Sequence, residues 1–144
     1  MLYSNPCEYA IRAMTELALW QDDGWVPVTV IAEEADLPSP YLGKILKDLV
    51  RAQLLQSTRG PGGGYRLARP ASEISLFDVK LTVDGPGDLE RCAVGLDPCS
   101  DETPCPLHVD FVRVRATIHE YLTSTTLADV ARGARTKQQL LSGR

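Results

Sequence analysis

No stretch of this 144-residue chain approaches the roughly twenty consecutive apolar residues that a membrane-spanning helix needs. No membrane partner is therefore expected. The opening residues Met1 to Glu8 are polar and broken by Pro6. A secretory leader is not expected either, and the default compartment is the cytosol. There is no internal repeat, no low-complexity tract, no phosphate-binding glycine motif and no nucleophile elbow. An enzymatic role has nothing to stand on. Cysteine is limited to Cys7, Cys92, Cys99 and Cys105. In a reducing compartment these do not form a disulfide framework. Three of them fall close together and are followed by His108, which reads as a metal or redox site.

The net charge of −4 argues against a polyanion partner until its distribution is examined. Residues 40–70 hold six basic side chains (Lys44, Lys47, Arg51, Arg59, Arg66 and Arg69) against the single acid Asp48. The segment carries +5 and the remainder −9. Such asymmetry points to a face for nucleic acid or to a solvated helix surface that is basic.

Apolar periodicity places the elements. Asn5 as cap, Pro6 at the first helical position and Glu8 three residues after the cap open a helix over residues 5–20. Residues 21–27 connect it to a short helix capped by Thr29, with Ile31, Ala32 and Ala35 inward. Asp36-Leu37-Pro38 breaks that helix. Ser39-Pro40 starts another, with Leu42, Ile45, Leu46 and Leu49 as its apolar stripe and Lys44, Lys47 and Arg51 on other faces. Two short helices and a tight turn, the second helix basic, make a helix-turn-helix. Residues 54–58 and 65–67 read as strands around a glycine-rich tip, a hairpin wing flanked by Arg59 and Arg66. Ser75 and Asp78 form a capping-box pair for a fourth helix, stapled by Ile74 and Val79 and stopped near Asp84-Gly85.

Thr103-Pro104 starts the longest helix, to about residue 124. Leu107, Phe111, Val114, Ile118 and Tyr121 recur along it at spacings of four and three. A helix this long overhangs a small domain, so a homodimer is expected to cover its stripe. A short helix capped by Thr126 and Asp129 follows, then a mobile basic tail.

Thiolates are soft ligands that suit iron–sulfur clusters or zinc. Six and five residues separate Cys92, Cys99 and Cys105. Structural zinc sites usually pair cysteines two to four residues apart, so the spacing favours an iron–sulfur cluster. His108, three residues after Cys105, is the expected fourth ligand, on the same side of the long helix. Cys7 reads as a small buried apolar residue, and His119 as a surface residue off the stripe.

The run Arg59-Gly60-Pro61-Gly62-Gly63-Gly64-Tyr65 resembles the wing of the bacterial Rrf-two family of winged-helix regulators. Glu8-Tyr9-Ala10, Ser39-Pro40-Tyr41-Leu42 and Thr82-Val83-Asp84-Gly85 extend the likeness over nearly the whole chain. It is strongest to the iron–sulfur members, IscR-like and NsrR-like. The IscR-like resemblance implies a [2Fe–2S] cluster on Cys92, Cys99, Cys105 and His108. The NsrR-like one implies a [4Fe–4S] cluster with Glu8 of a partner chain as fourth ligand. Double-stranded operator DNA is the implied partner.

The expected fold is mostly α with a small β-hairpin wing, a winged helix-turn-helix plus a long C-terminal dimerisation helix. Residues 1–70 form the DNA-binding region, 71–104 the linker helix and cysteine loop, 105–130 the dimerisation and capping helices, and 131–144 the tail. Ser39, Pro40, Tyr41, Lys44, Lys47, Arg51, Arg59, Gly60 and Tyr65 are the candidate DNA contacts. Cluster-controlled transcription regulation is the expected function. A regulator responding through thiols or zinc is the alternative.

Overall fold

The structure is a computed structural model that describes residues 2–20 and 24–143. The connector expected at 21–27 lies partly outside these residues. Helix α1 (Asn5–Leu19) forms the spine, burying Cys7, Ala10, Ala13, Met14 and Leu17 at helical spacing. Its cap is Ser4, not Asn5: the Ser4 hydroxyl accepts from the Cys7 amide at 3.2 Å. Pro6 is the second helical residue, and Glu8 pairs with Arg12 at 3.8 Å rather than closing a capping box.

Helix α2 (Val28–Ala35) starts directly after Pro27 without a side-chain cap, so Thr29 plays no capping part. Asp36 ends it in the left-handed conformation, which Asp tolerates better than most residues. The Arg12 guanidinium donates to the carbonyls of Ala35 and Asp36 there, opposing the negative end of the helix dipole. Helix α3 (Ser39–Arg51) buries Leu42, Ile45, Leu46 and Leu49, the expected stripe. Ser39 is its first helical residue and makes no cap bond.

Strands β1 (Leu55–Thr58) and β2 (Gly64–Leu67) pair antiparallel, with Gln56 opposite Arg66. A bridge from Tyr65 to Val26, with bonds of 2.9 and 2.8 Å, fastens the wing to the segment before α2. Gly64 makes this approach possible. It sits at φ +150°, and a Cβ there would lie 2.2 Å from the Val26 carbonyl oxygen. Gly64→Ala is expected to cost about 3 kcal/mol, because backbone atoms must give way. In thermal denaturation Tm should fall by about 10 °C; an unchanged Tm would show that the wing does not lie against Val26.

After a 3-10 turn at Ala71–Glu73, helix α4 (Leu76–Asp84) begins with the expected capping box. Ser75 and Asp78 exchange bonds of 2.9 and 3.1 Å, and Ile74 and Val79 are fully buried beside them. A single turn, α5 (Gly87–Glu90), follows where only loop was expected.

The longest helix, α6 (His108–Ser124), begins five residues later than expected. Pro104 and Pro106 explain the delay, since each restricts its predecessor and lacks an amide donor. Along α6, Leu122 is fully buried, a contribution of about 2 kcal/mol that anchors the end of the helix. The apolar stripe splits: Phe111 and Ile118 are half-buried, whereas Leu107, Val114 and Tyr121 are 43–51% exposed.

Helix α7 (Leu127–Ser142) opens on the expected Thr126–Asp129 capping box but does not stop near residue 130. The segment expected as a tail is helical to Ser142. Leu127 and Ala131 bury against the core, α7 packs on α1, and Ala, Arg, Lys, Gln and Leu propagate the helix. Composition was a poor guide here because a basic segment without acids is also a good helix former.

Candidate DNA-reading face and cysteine site

The stripe that buries one side of α3 leaves the other side open. Tyr41, Lys44, Lys47 and Arg51 are exposed, as is Pro40, and Ser39 is half-buried. Tyr41 is held edge-on by Tyr9 of α1, with ring centroids 6.0 Å apart. Tyr9 is a neighbour that the sequence did not single out, because an aromatic on a core helix looks like packing. Arg51 pairs with Asp48 at 3.0 Å, so part of its charge is already neutralised. In the wing, Arg59 and Gly60 are exposed at the tip, with Gly60 at φ +88°. Tyr65 is half-buried, and its backbone carries the bridge to Val26. Arg66 lies 4.1 Å from the centroid of the Trp25 ring and donates to Gln56 at 2.9 Å. That stack was invisible because the two residues meet only through the wing bridge.

The second site lies in the loop between α5 and α6. The sulfurs of Cys92, Cys99 and Cys105 all come within 4.8 Å of one another. All four cysteines are free, and these three are half-buried while Cys7 is buried. Cys105 sits just before α6 rather than on it, so the shared helix face expected for Cys105 and His108 is not what joins them. His108, the first residue of α6, instead places Nδ1 3.1 Å from the Cys99 sulfur. Its Nε2 is 2.9 Å from Asp101 Oδ1. With Asp101 accepting from Nε2, the tautomer leaves the Nδ1 lone pair toward the sulfurs, the arrangement usual for a ligating histidine. The sequence does not single out Asp101. A histidine seven residues from an acid gives no sequence signal unless the loop between them is known to fold back.

The thiols are not equivalent. Backbone amides of Val94 and Leu96 aimed at Cys92 pull its pKa below the ordinary thiol value. Loss of hydration, and the neighbouring thiols, push that of Cys105 up. Cys7 lies apart: burial, with Asp84 adding to it, pushes its pKa up to about 12, so it is a packing residue. Glu8 is on an exposed part of α1 beside Arg12 and is not grouped with the three cysteines of its own chain. His119 is exposed and packs edge-on against Phe77 at 5.0 Å.

The donor set fits a soft metal centre. Three thiols converge, an imidazole nitrogen sits beside one of them, and a carboxylate orients that imidazole.

A helix-turn-helix followed at once by a hairpin, both basic, defines a winged helix-turn-helix transcription regulator. Residues 3–133 match the Rrf2 family, described as iron-dependent transcriptional regulators, and the chain belongs to that family. It is 40% identical over 135 residues to an HTH-type transcriptional regulator of Mycobacterium tuberculosis, covering 93% of this chain and 83% of that protein. It is 35% identical over 130 residues to the HTH-type transcriptional regulator IscR of Sodalis glossinidius, covering 90% and 78%. Among solved structures, CymR, the global cysteine regulator of B. subtilis, superposes with a TM-score of 0.76 at 30% identity, covering 90% of this chain and 95% of that one. T. potens IscR superposes with a TM-score of 0.74 at 32% identity, covering 94% and 89%. The chain is thus a DNA-binding regulator and not an enzyme. Among the described residues no helix is long and apolar enough to cross a membrane.

Proposed function

We propose that this chain is a homodimeric transcription regulator whose hold on operator DNA is set by an iron–sulfur cluster at Cys92, Cys99, Cys105 and His108. The observation that carries the reading is the convergence of the three sulfurs within 4.8 Å beside the Nδ1 of His108. Such a cluster, when bound, supplies one-electron redox chemistry and iron that oxidants can attack.

The chain's own residues make the link to DNA. Asp84, at the end of α4, accepts from the Ser4 amide at 3.0 Å and from the Ser4 hydroxyl. Lys80, 2% exposed, lies 3.7 Å from the same carboxylate. The start of α1 is therefore tied to the last turn of α4, which leads through α5 into the cysteine loop. Ordering that loop favours one placement of α4 against α1, and α1 carries Tyr9 and Arg12, which brace α3 and α2. DNA affinity shifts only by as much as the loop's two states differ in that bracing.

On the DNA side, the start of α3 is the major-groove reader. Ser39, Pro40 and Tyr41 meet the operator with Lys44, and Lys47 and Arg51 bind phosphate. Arg59, with Gly60 keeping the tip slim and Tyr65 anchoring the strand, enters the minor groove. The exposed ridge Leu107, Val114 and Tyr121 repeats every seven residues and is the dimer seam.

A second reading, a regulator responding through its thiols or zinc without a cluster, draws on the likeness to CymR and on the lowered pKa of Cys92. Native mass spectrometry of anaerobically purified protein separates the readings. A dimer with two iron and two sulfide per chain is the expected result. Four of each would move the fourth ligand to Glu8 of the partner and make the protein a [4Fe–4S] nitric-oxide sensor. A zinc adduct or a bare dimer would overturn the cluster and leave the thiol reading.

A further inference from the structure

A cleft of about 490 Å³ opens between α4, α5 and α6, outside both sites described above. Phe77, Leu81, Leu89, Val112 and Ala116 supply its apolar walls. Two cations stand among them. Lys80 lines the cleft while only 2% exposed, its ammonium 3.7 Å from Asp84. Arg115 lines it too, and its Nε is buried without a hydrogen-bond partner among the described residues. Another nitrogen of that guanidinium is engaged: Nη2 donates to the Arg91 carbonyl at 2.8 Å, and the group lies 5.1 Å from the Phe111 ring centroid.

A buried guanidinium N–H without an acceptor is costly, and native structures rarely leave one orphaned. The acids that line the cleft, Glu90 and Glu120, are exposed residues. Among the described residues the chain supplies no acceptor to it. A carboxylate is the acceptor that best matches a guanidinium, and apolar walls suit an apolar group behind it.

A second copy of the chain is the rival occupant, and the dimer seam proposed above leaves the cleft free. At about 100° per residue, Phe111, Ile118 and Leu122 define the side of α6 that faces its own core. The exposed ridge of Leu107, Val114 and Tyr121 falls on one flank of that line. Val112, Ala116 and His119 fall on the other, beside the cleft. Pairing through the ridge leaves the cleft open.

We propose that this cleft is a binding site for a small amphiphilic carboxylate, its carboxylate accepting from Arg115 Nε near Lys80 and its apolar tail lying along Phe77 and Val112. The volume is that of an ordinary small-molecule pocket. The site is independent of what the cysteines hold. It sits where it can be felt, since Arg115 also holds the carbonyl next to Cys92.

Isothermal titration calorimetry of the anaerobically purified full chain with octanoate, and with 1-octanol as the neutral control, tests the site. One octanoate per chain is expected, binding at least about tenfold more tightly than octanol, a difference of about 1.4 kcal/mol. Arg115→Leu should weaken octanoate about tenfold and leave octanol unchanged. Ala116→Phe, at an exposed position where folding is not at risk, should fill the cleft and abolish both. Absence of octanoate binding to the unaltered dimer would overturn the proposal. So would equal affinity for acid and alcohol, or binding that survives Ala116→Phe. A cross-link placing the partner chain across the cleft would assign the buried guanidinium to the dimer instead.

Discussion

Cys99→Ser is expected to strip the protein of iron and sulfide while leaving its fold and its dimer intact. Cys99 is the sulfur that touches both kinds of donor, grouped with Cys92 and Cys105 and 3.1 Å from His108 Nδ1. Serine keeps the shape but offers a hard oxygen whose proton is not released near neutral pH, and metal ligation needs the deprotonated soft donor. Losing even an outer partner of a metal ligand typically costs 10–100-fold in affinity, so losing the ligand itself should cost more than about a hundredfold. The fold should not notice. Cys99 is half-buried in a loop whose exposed residues, Val94 and Leu96 among them, add nothing to the core around α1. Unfolding of the metal-free protein should shift by no more than about 0.5 kcal/mol. Iron and sulfide analysis, visible absorption and thermal denaturation of both proteins provide the check. Retention of colour and iron would remove Cys99 from the ligand set. Loss of fold along with iron would show that the loop is structural after all.

What the sequence made legible follows the physics that acts locally. The helical stripes of α1 and α3, both capping boxes and the glycine turn of the wing are set by residues within one or two helical turns of each other. Each was readable for that reason. The misplacements have both distant and local causes. Ser4 and Asn5 are both good caps, and the choice between them was made by Asp84, eighty residues away, which holds Ser4. Thr103-Pro104 is a fair helix start by itself, but Pro106 disfavours helical backbone at Cys105 within its first turn. The cysteine site was legible as a list of ligands and not as a geometry. The partnership of His108 with Cys99, and of Asp101 with His108, depends on a loop folding back on itself, which no periodicity encodes. The division of the α6 stripe was hidden too. Residues at 3-4 spacing look alike until α4 covers one side of the helix, leaving Leu107, Val114 and Tyr121 outside.

The same distinction between local and distant partners decides which arginine should matter most on DNA. Arg51 is paired with Asp48 at 3.0 Å, and Arg66 is held against Trp25 and Gln56. Arg59 is exposed, and among the described residues it has no such partner. Its full charge is available to phosphate, and its position beside Gly60, Gly62 and Gly63 keeps the tip narrow. A-tract minor grooves are narrow as well and carry the deepest negative potential, so a lone guanidinium on a slim hairpin is well matched to one. Arg59→Ala should therefore weaken operator binding at least about tenfold, near 1.4 kcal/mol per site. It should also lower the slope of log K against log salt by about one per chain, because one counterion-releasing contact is lost from each half-site. Arg51→Ala, which removes an already neutralised charge, should do less on both counts. Fluorescence anisotropy over a salt series, with equal thermal stability of the variants as control, measures both quantities. An unchanged slope for Arg59→Ala would mean that the wing does not reach DNA and that the reading face is α3 alone. A steeper loss for Arg51→Ala would mean that the Asp48 pair opens on binding and that the basic end of α3 is the principal phosphate clamp.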